Sequence, residues 1–453
     1  MTFQSSARPV CYDARVTRRG ASDEQAGGTT RWPSRSTICV ALLLFAAALA
    51  SSFWVEIIAK ALNTPDVQTS ATSEPEYFAY TGGRNFDFFQ YYAGGQNWRL
   101  GLDPYLNHPD APGAIHHPRD ADRTISGYIY PPAILPVFGA LSRLDYADAR
   151  HTWFVINVVF LALAVALAAA VSPGRRLELI TAAVLLTMCS YPFFYHVHGG
   201  QIDMIVAALA VSAYLVYPRW RGWPSAALMA VAILVKVTPV LLLAVMVVYF
   251  RDLRFLLKTL ACLALGLALS LLAVAPHLYT EYFGTVLPHI SGSSPDPENQ
   301  TLARFWSKWP AMVKALSAFG YAALLFFAYI AGRNSRRLPA GERTVDLQTE
   351  GRAVLTLAVL MTLIFSPLAW QMAYVIVIVP VAALLIAPPP RDHPWAPIGV
   401  AAGAALISSR IFDFQVLNLL NVLGAATIVL CLLYCYLPLR ESRPQHNQSR
   451  KPR

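Results

Sequence analysis

One carboxylate, Asp87, stands in an aromatic and nearly uncharged run, Gly82-Gly-Arg-Asn-Phe-Asp87-Phe-Phe-Gln-Tyr-Tyr-Ala-Gly-Gly-Gln-Asn-Trp98. Apolar neighbours raise a carboxylate's proton affinity and a cation such as Arg84 lowers it, so these surroundings can tune Asp87 as a base. If the run is helical, Asp87, Tyr91 and Gly94 share one face at i, i+4 and i+7. An amphipathic interfacial helix, its Phe and Tyr against lipid headgroups, fits the same composition. Two further ionisable groups sit beside apolar runs: Asp203, at the end of His196-Val-His-Gly-Gly-Gln-Ile-Asp203, and Lys236, at the start of Lys236-Val-Thr-Pro239. Charges near membrane depth are costly and tend to face a partner or a water-filled cavity. A structural hydrogen bond or ion pair answers this for Asp203, and snorkelling to the interface answers it for Lys236. Gly101-Leu-Asp-Pro-Tyr105 reads as a turn, with Asp103 as a cap rather than a catalyst.

The elements that hold these groups are membrane helices. Hydrophobic side chains make up 56% of the 453 residues and charged ones 14%, where soluble domains carry about a quarter charged. Mean hydropathy is +0.44, which also excludes a disordered or fibrous chain. Apolar runs near twenty residues recur from Ser36 to Leu439, the mark of a polytopic membrane domain. The basic tails, 1–36 and 440–453, fit cytoplasmic ends beside anionic lipid better than a nucleic-acid surface. The six cysteines lie in the first tail or in apolar runs, with no disulfide framework or zinc set among them.

Thr37 to Ile58 reads as an uncleaved signal-anchor, which sends 59–150 outward as a long first extracytoplasmic loop with interfacial helices. Tyr128 to Leu141, about fourteen apolar residues with three prolines, is short for a span and suits the interface. The remaining spans fall at about 151–171, 177–195, 202–217, 221–236, 238–253, 256–276, 311–332, 353–367, 370–388, 396–410 and 415–438, with 277–310 as a second outer loop. The expectation is an all-α bundle of about twelve transmembrane helices, 37–439, with both termini inside, because this count puts the Arg- and Lys-bearing turns in the cytoplasm.

That topology gathers Phe86-Asp87-Phe, Tyr91-Tyr92, Gly101-Leu-Asp-Pro-Tyr105, Tyr130-Pro131-Pro132, Gly200-Gln201, Lys236-Val-Thr-Pro239, Asn299-Gln-Thr301 and Ser366-Pro-Leu-Ala-Trp370 at the outer membrane surface. Taken in order, the set resembles glycosyltransferase family 87, the polyprenyl-phosphate-mannose-dependent α-mannosyltransferases of bacterial envelopes, over roughly Phe86 to Pro380. The resemblance implies a C-type glycosyltransferase fold, with an acidic residue in the first extracytoplasmic loop as catalytic base. Asp87 is the matching position. Where the family usually continues from Trp to one or two His, this chain has Gln371 and Met372 after Trp370.

The implied activity is transfer of a hexose, mannose by the resemblance, from a polyprenyl-phosphate sugar to a lipid-linked or polysaccharide acceptor at the outer face of the cytoplasmic membrane. Asp87 would take the acceptor's hydroxyl proton as that oxygen attacks the anomeric carbon, which inverts. Charge developing on the departing phosphate needs cations, for which Lys236, Arg84, Arg304 and His198 are the candidates in that order. Gln201, Tyr91 and Trp370 are the candidates for sugar or acceptor contacts. No cofactor or metal is expected: Asp296-Pro-Glu298 is a poor divalent site, and His108, His116 and His117 lie in a Pro-rich polar loop. Two alternatives remain. One is a secondary transporter, built on a helix broken at Pro239 and on intramembrane Asp203 and Lys236. The other is a catalytically silent relative that binds polyprenyl phosphates.

Overall fold

The computed structural model describes residues 87–106, 108, 111, 128–172, 174–219, 222–290, 292, 299–336, 343–367, 369, 371–387, 393, 395–408 and 420–436. Arg84, His116, His117, Asp296, Glu298, Trp370, the first expected span and both tails lie outside these residues. Of the two compact units, 1–34 and 35–453, every described residue belongs to the second. No β-strand occurs among them.

Helix α1, Asp87–Arg99, is followed by a 3-10 turn, Pro132–Ile134, that leads into α2, Leu135–Leu141. The bundle continues with α3 (Tyr146–Ala170), α4 (Arg176–Cys189), α5 (Tyr191–Gly199), α6 (Asp203–Val216), α7 (Trp223–Val235), α8 (Val240–Phe250) and α9 (Leu253–Ser270). Two short helices, α10 (Pro276–Glu281) and α11 (Leu287–Ile290), flank a π turn, and a 3-10 turn at Leu302–Trp306 precedes α12 (Pro310–Ser335). Then come α13 (Arg343–Phe365), a 3-10 segment at Gln371–Val377, α14 (Ile378–Leu385), α15 (Ala396–Ser408) and α16 (Leu420–Cys431).

By length and composition α3, α9 and α12 are able to cross a membrane, and α4 with α5 makes a fourth if the bent pair counts as one span. The other apolar helices have 10–17 residues, and the described lengths alone do not amount to the expected twelve crossings. Each of the expected spans after the first coincides with a helix, but several are shortened or broken. The expected single span 177–195 is corrected to two helices bent by 70°. Ser190 caps the second, accepting from the Phe193 amide at 3.2 Å, and Pro192 in the first turn cannot continue the hydrogen bonds of the first. At 236–239 the chain leaves the helix altogether: Lys236 is extended (φ −154°, ψ 136°) and Pro239 caps α8. Tyr128 to Leu141 holds no long helix; ten residues from Pro132 reach about 15 Å, half a hydrocarbon core.

Two apolar cores result. The larger unites α3 to α9 with α12 to α16. The smaller is aromatic: Phe88, Tyr91, Tyr128, Tyr130, Phe138 and Trp153 pack with Ile202 and Tyr282. Its closest approach is between α1 and α2. A Cβ on Gly94 would stand 2.6 Å from Tyr128 Cδ2, and one on Gly95 would stand 2.5 Å from the Phe138 carbonyl oxygen and 2.7 Å from the Gly139 amide nitrogen. Glycine inside a helix is unfavourable by about 1 kcal/mol relative to alanine, so an unpacked α1 would be stabilised by Gly95→Ala. Here the methyl meets backbone, and overpacking costs about 1–3 kcal/mol, enough to reverse the sign. Gly95→Ala is therefore expected to lower the melting temperature in detergent and, because Asp87 rides on the same helix, the turnover. A raised melting temperature would refute the packing.

Candidate active site

Asp87 is the first residue of α1, where an acidic side chain complements the positive end of the helix, as Arg99 complements the other end. The helix stops at Gly101, in the left-handed region at φ 77°. Asp103 closes the following turn by accepting from the Tyr105 amide at 2.9 Å. The seat of α1 is fixed by a second glycine. Gly200 (φ 67°, ψ 35°) ends α5 in the left-handed region, and a Cβ there would stand 2.6 Å from Phe88 Cβ. Its carbonyl accepts from Trp153 Nε1 at 2.6 Å, which pins the turn to α3. Phe88 stacks on the same indole, with ring centroids 6.1 Å apart.

This contact brings Asp87 against Gln201, whose Nε2 donates to Asp87 Oδ2. Gln201 Oε1 lies 3.3 Å from the Tyr91 hydroxyl and 3.4 Å from the Tyr130 hydroxyl, and the two hydroxyls are 2.9 Å apart. Tyr91, Tyr130 and Gln201 are all buried. Burial, then the Tyr130 and Asp87 charges, pushes the Tyr91 phenol well above its ordinary range, and burial with Asp87 and Asp203 does the same to Tyr130. Both phenols therefore stay protonated and donate. With donors on its oxygen side, the amide has one sensible orientation, nitrogen toward the carboxylate, which only accepts when ionised. The network fixes where the Asp87 carboxylate sits.

Asp203 and Lys236 partner each other. Lys236 Nζ is 2.5 Å from Asp203 Oδ1, and the ammonium stands 5.8 Å from the centroid of the Tyr130 ring. Asp203 is the first residue of α6, two positions past Gln201, and Lys236 comes from the extended link between α7 and α8. Tyr130 thus touches both halves of the site: its hydroxyl serves the amide that holds Asp87, and its ring lies beside the cation.

Four expected site residues, Asp87, Tyr91, Gln201 and Lys236, are joined in this way. Arg304 is half-buried in the 302–306 turn, which packs on α12 and α13, with its guanidinium 5.9 Å from the Phe305 centroid. His198 belongs to α5, but its side chain lies outside the described residues, as do Arg84 and Trp370 altogether. The Asn299 and Ser366 motifs meet: Ala369 N donates to Asn299 Oδ1 at 3.1 Å and Gln300 N donates to Ala369 O at 2.8 Å. Tyr374 adds a 2.7 Å bond to Gln300 O, and its segment, Gln371–Val377, packs on α5 and α6. Among the described residues no group of three or more His, Cys, Asp or Glu is arranged to hold a metal ion.

The sequence alone gives Tyr130 no role beyond a place in Tyr130-Pro131-Pro132. Because either phenol reaches Gln201, Tyr91→Phe or Tyr130→Phe alone is expected to slow turnover by only a few-fold. The double variant is expected to lose more than the product of the two, with a coupling of about 1 kcal/mol. Turnover measured on all four proteins checks this, and independent effects would show that the phenols do not share the amide.

The arrangement is a carboxylate aimed by an amide beside a paired cation, at the junction of broken helices. The sequence pattern of glycosyltransferase family 87 matches residues 128–367, more than half of the chain. The chain belongs to this family, and its class is that of a membrane glycosyltransferase. It is similar to a polyprenol-phosphate-mannose-dependent alpha-(1-2)-phosphatidylinositol mannoside mannosyltransferase of Mycolicibacterium smegmatis, at 25% identity over 346 residues, covering 71% of this chain and 74% of that one. No solved structure matches.

Proposed function

We propose that this protein transfers a hexose, mannose, from a polyprenyl-phosphate sugar to a lipid-linked or polysaccharide acceptor at the outer face of the cytoplasmic membrane, through a bundle of twelve crossings. Asp87 accepts the proton of the acceptor hydroxyl while that oxygen forms its bond to the anomeric carbon. The bond from that carbon to the phosphate oxygen breaks on the opposite side, so the configuration inverts and polyprenyl phosphate departs. Lys236 meets the charge that grows on the phosphate, aided by Arg84, Arg304 and His198. Gln201 and Tyr91 have their polar atoms engaged with Asp87 and Tyr130. Their part is to aim the base, while Trp370 stacks on a sugar face.

The observation that carries the reading is the single network that joins the carboxylate of Asp87 to the ring beside Lys236. Tyr130 reaches the amide bound to Asp87 with its hydroxyl and lies 5.8 Å from the Lys236 ammonium with its ring, which supports reading Asp87 as the base and Lys236 as the phosphate's cation in one site. The family membership supports the reaction class, and the mannosyltransferase relative supports the donor. Membranes holding the protein are expected to transfer radiolabel from polyprenyl-phosphate mannose to endogenous acceptors. If neither this donor nor other polyprenyl-phosphate sugars yield labelled product, the assignment falls.

A further inference from the structure

The members of the Lys236–Asp203 pair are not equivalent. Asp203 is the better enclosed, with 11% of its side chain exposed against 28% for Lys236. As the first residue of α6 it also lies at the positive end of a helix, a favourable environment that persists without the lysine. Lys236 stands on a non-helical link between two helices, on a flexible stem, and its ammonium borders the Tyr130 ring. The lysine is thus the member able to swing to a new anion, and the carboxylate is the member able to tolerate its departure.

The ligand proposed above makes a particular demand on such a pair. The donor is a phosphate diester with one negative charge, whereas the departing polyprenyl phosphate is a monoester with close to two at neutral pH. A bare cation would hold the product more tightly than the donor. We infer that Asp203 is an exchangeable counter-ion for Lys236. The ammonium leaves Asp203 for the phosphate when a polyprenyl phosphate occupies the site and returns to Asp203 as that phosphate leaves. The carboxylate thereby weakens product binding by competing for the cation and, while the product is bound, by repelling it. This rests on the donor class proposed above.

Binding of farnesyl phosphate to the purified full-length protein in detergent tests the exchange, with farnesol as the uncharged control. Asp203→Asn and Asp203→Ser are expected to bind farnesyl phosphate about tenfold more tightly than the wild type, with farnesol unchanged, and Asp203→Glu is expected to stay within about twofold. Unchanged or weaker binding by the neutral variants, at a retained melting temperature, overturns the exchange. If neither neutral variant folds, carbodiimide labelling of Asp203 in the wild type decides. Labelling is expected to rise on saturation with farnesyl phosphate, because the carboxylate loses its lysine, and constant labelling overturns the proposal. Wild-type protein that binds farnesyl phosphate no better than farnesol would instead remove the donor assignment, an outcome separate from a substitution that has no effect.

Discussion

Asp87→Asn is expected to lower the transfer rate by about 10²- to 10⁴-fold, the range over which a positioned base contributes, while the protein folds and inserts as the wild type does. The substitution keeps size and shape. Asparagine still offers an oxygen to Gln201 Nε2, the donor that Asp87 engages, and Phe88 still seats α1 against Gly200. What it loses is the capacity to accept a proton from an attacking hydroxyl. Affinity for the donor should change little, because in the proposed site the phosphate's partner is Lys236 and not this carboxylate. Initial rates with a polyprenyl-phosphate sugar, alongside a melting curve, measure both parts. A folded Asp87→Asn protein that transfers at the wild-type rate would dismiss Asp87 as the base. Asp87→Glu separates position from chemistry: it keeps the base but carries it one methylene away from the amide that aims it, so partial activity is expected.

Much of this arrangement is legible in the sequence, for reasons that differ by element. The helices follow from apolar runs, and their breaks at 236–239 and at Ser190 follow from Pro239 and Pro192, although the second proline sits inside what reads as one span. Asp87 stands out because a carboxylate in an aromatic run is rare, and α1 places it, Tyr91 and Gly94 on one face, as the spacing predicts. Pairings are a different matter. Asp203 and Lys236 are 33 residues apart, and Tyr130 is 39 residues from Tyr91 and 71 from Gln201. No periodicity links such positions. Tyr91, Tyr130 and Gln201 meet because glycines let backbones approach: Gly94, Gly95 and Gly139 between α1 and the 128–141 segment, and Gly200 against Phe88. In the sequence Gly94 reads only as a face-mate of Asp87 and Tyr91, and Gly200 only as part of Gly200-Gln201, since the close approach depends on which helix lies opposite.

The pairing sets up the second large effect. Lys236→Met is expected to lower the transfer rate by about 10²- to 10³-fold, comparable to the loss of one charge-stabilising donor from an active site. It should also destabilise the protein. Removing one partner of a buried pair costs about 3–5 kcal/mol, but this pair is partly exposed and Asp203 keeps the α6 terminus, so about 1–3 kcal/mol is the appropriate range. These two losses have different origins, and a second substitution separates them. In the double variant Lys236→Met, Asp203→Asn no uncompensated carboxylate remains, so the melting temperature should return most of the way to the wild-type value. The rate should not return, because no ammonium is left to meet the departing phosphate. Had Lys236 served only to neutralise Asp203, the double variant would recover both quantities together. Melting curves and initial rates on the two single variants and the double therefore decide between a structural lysine and one that acts on the leaving group.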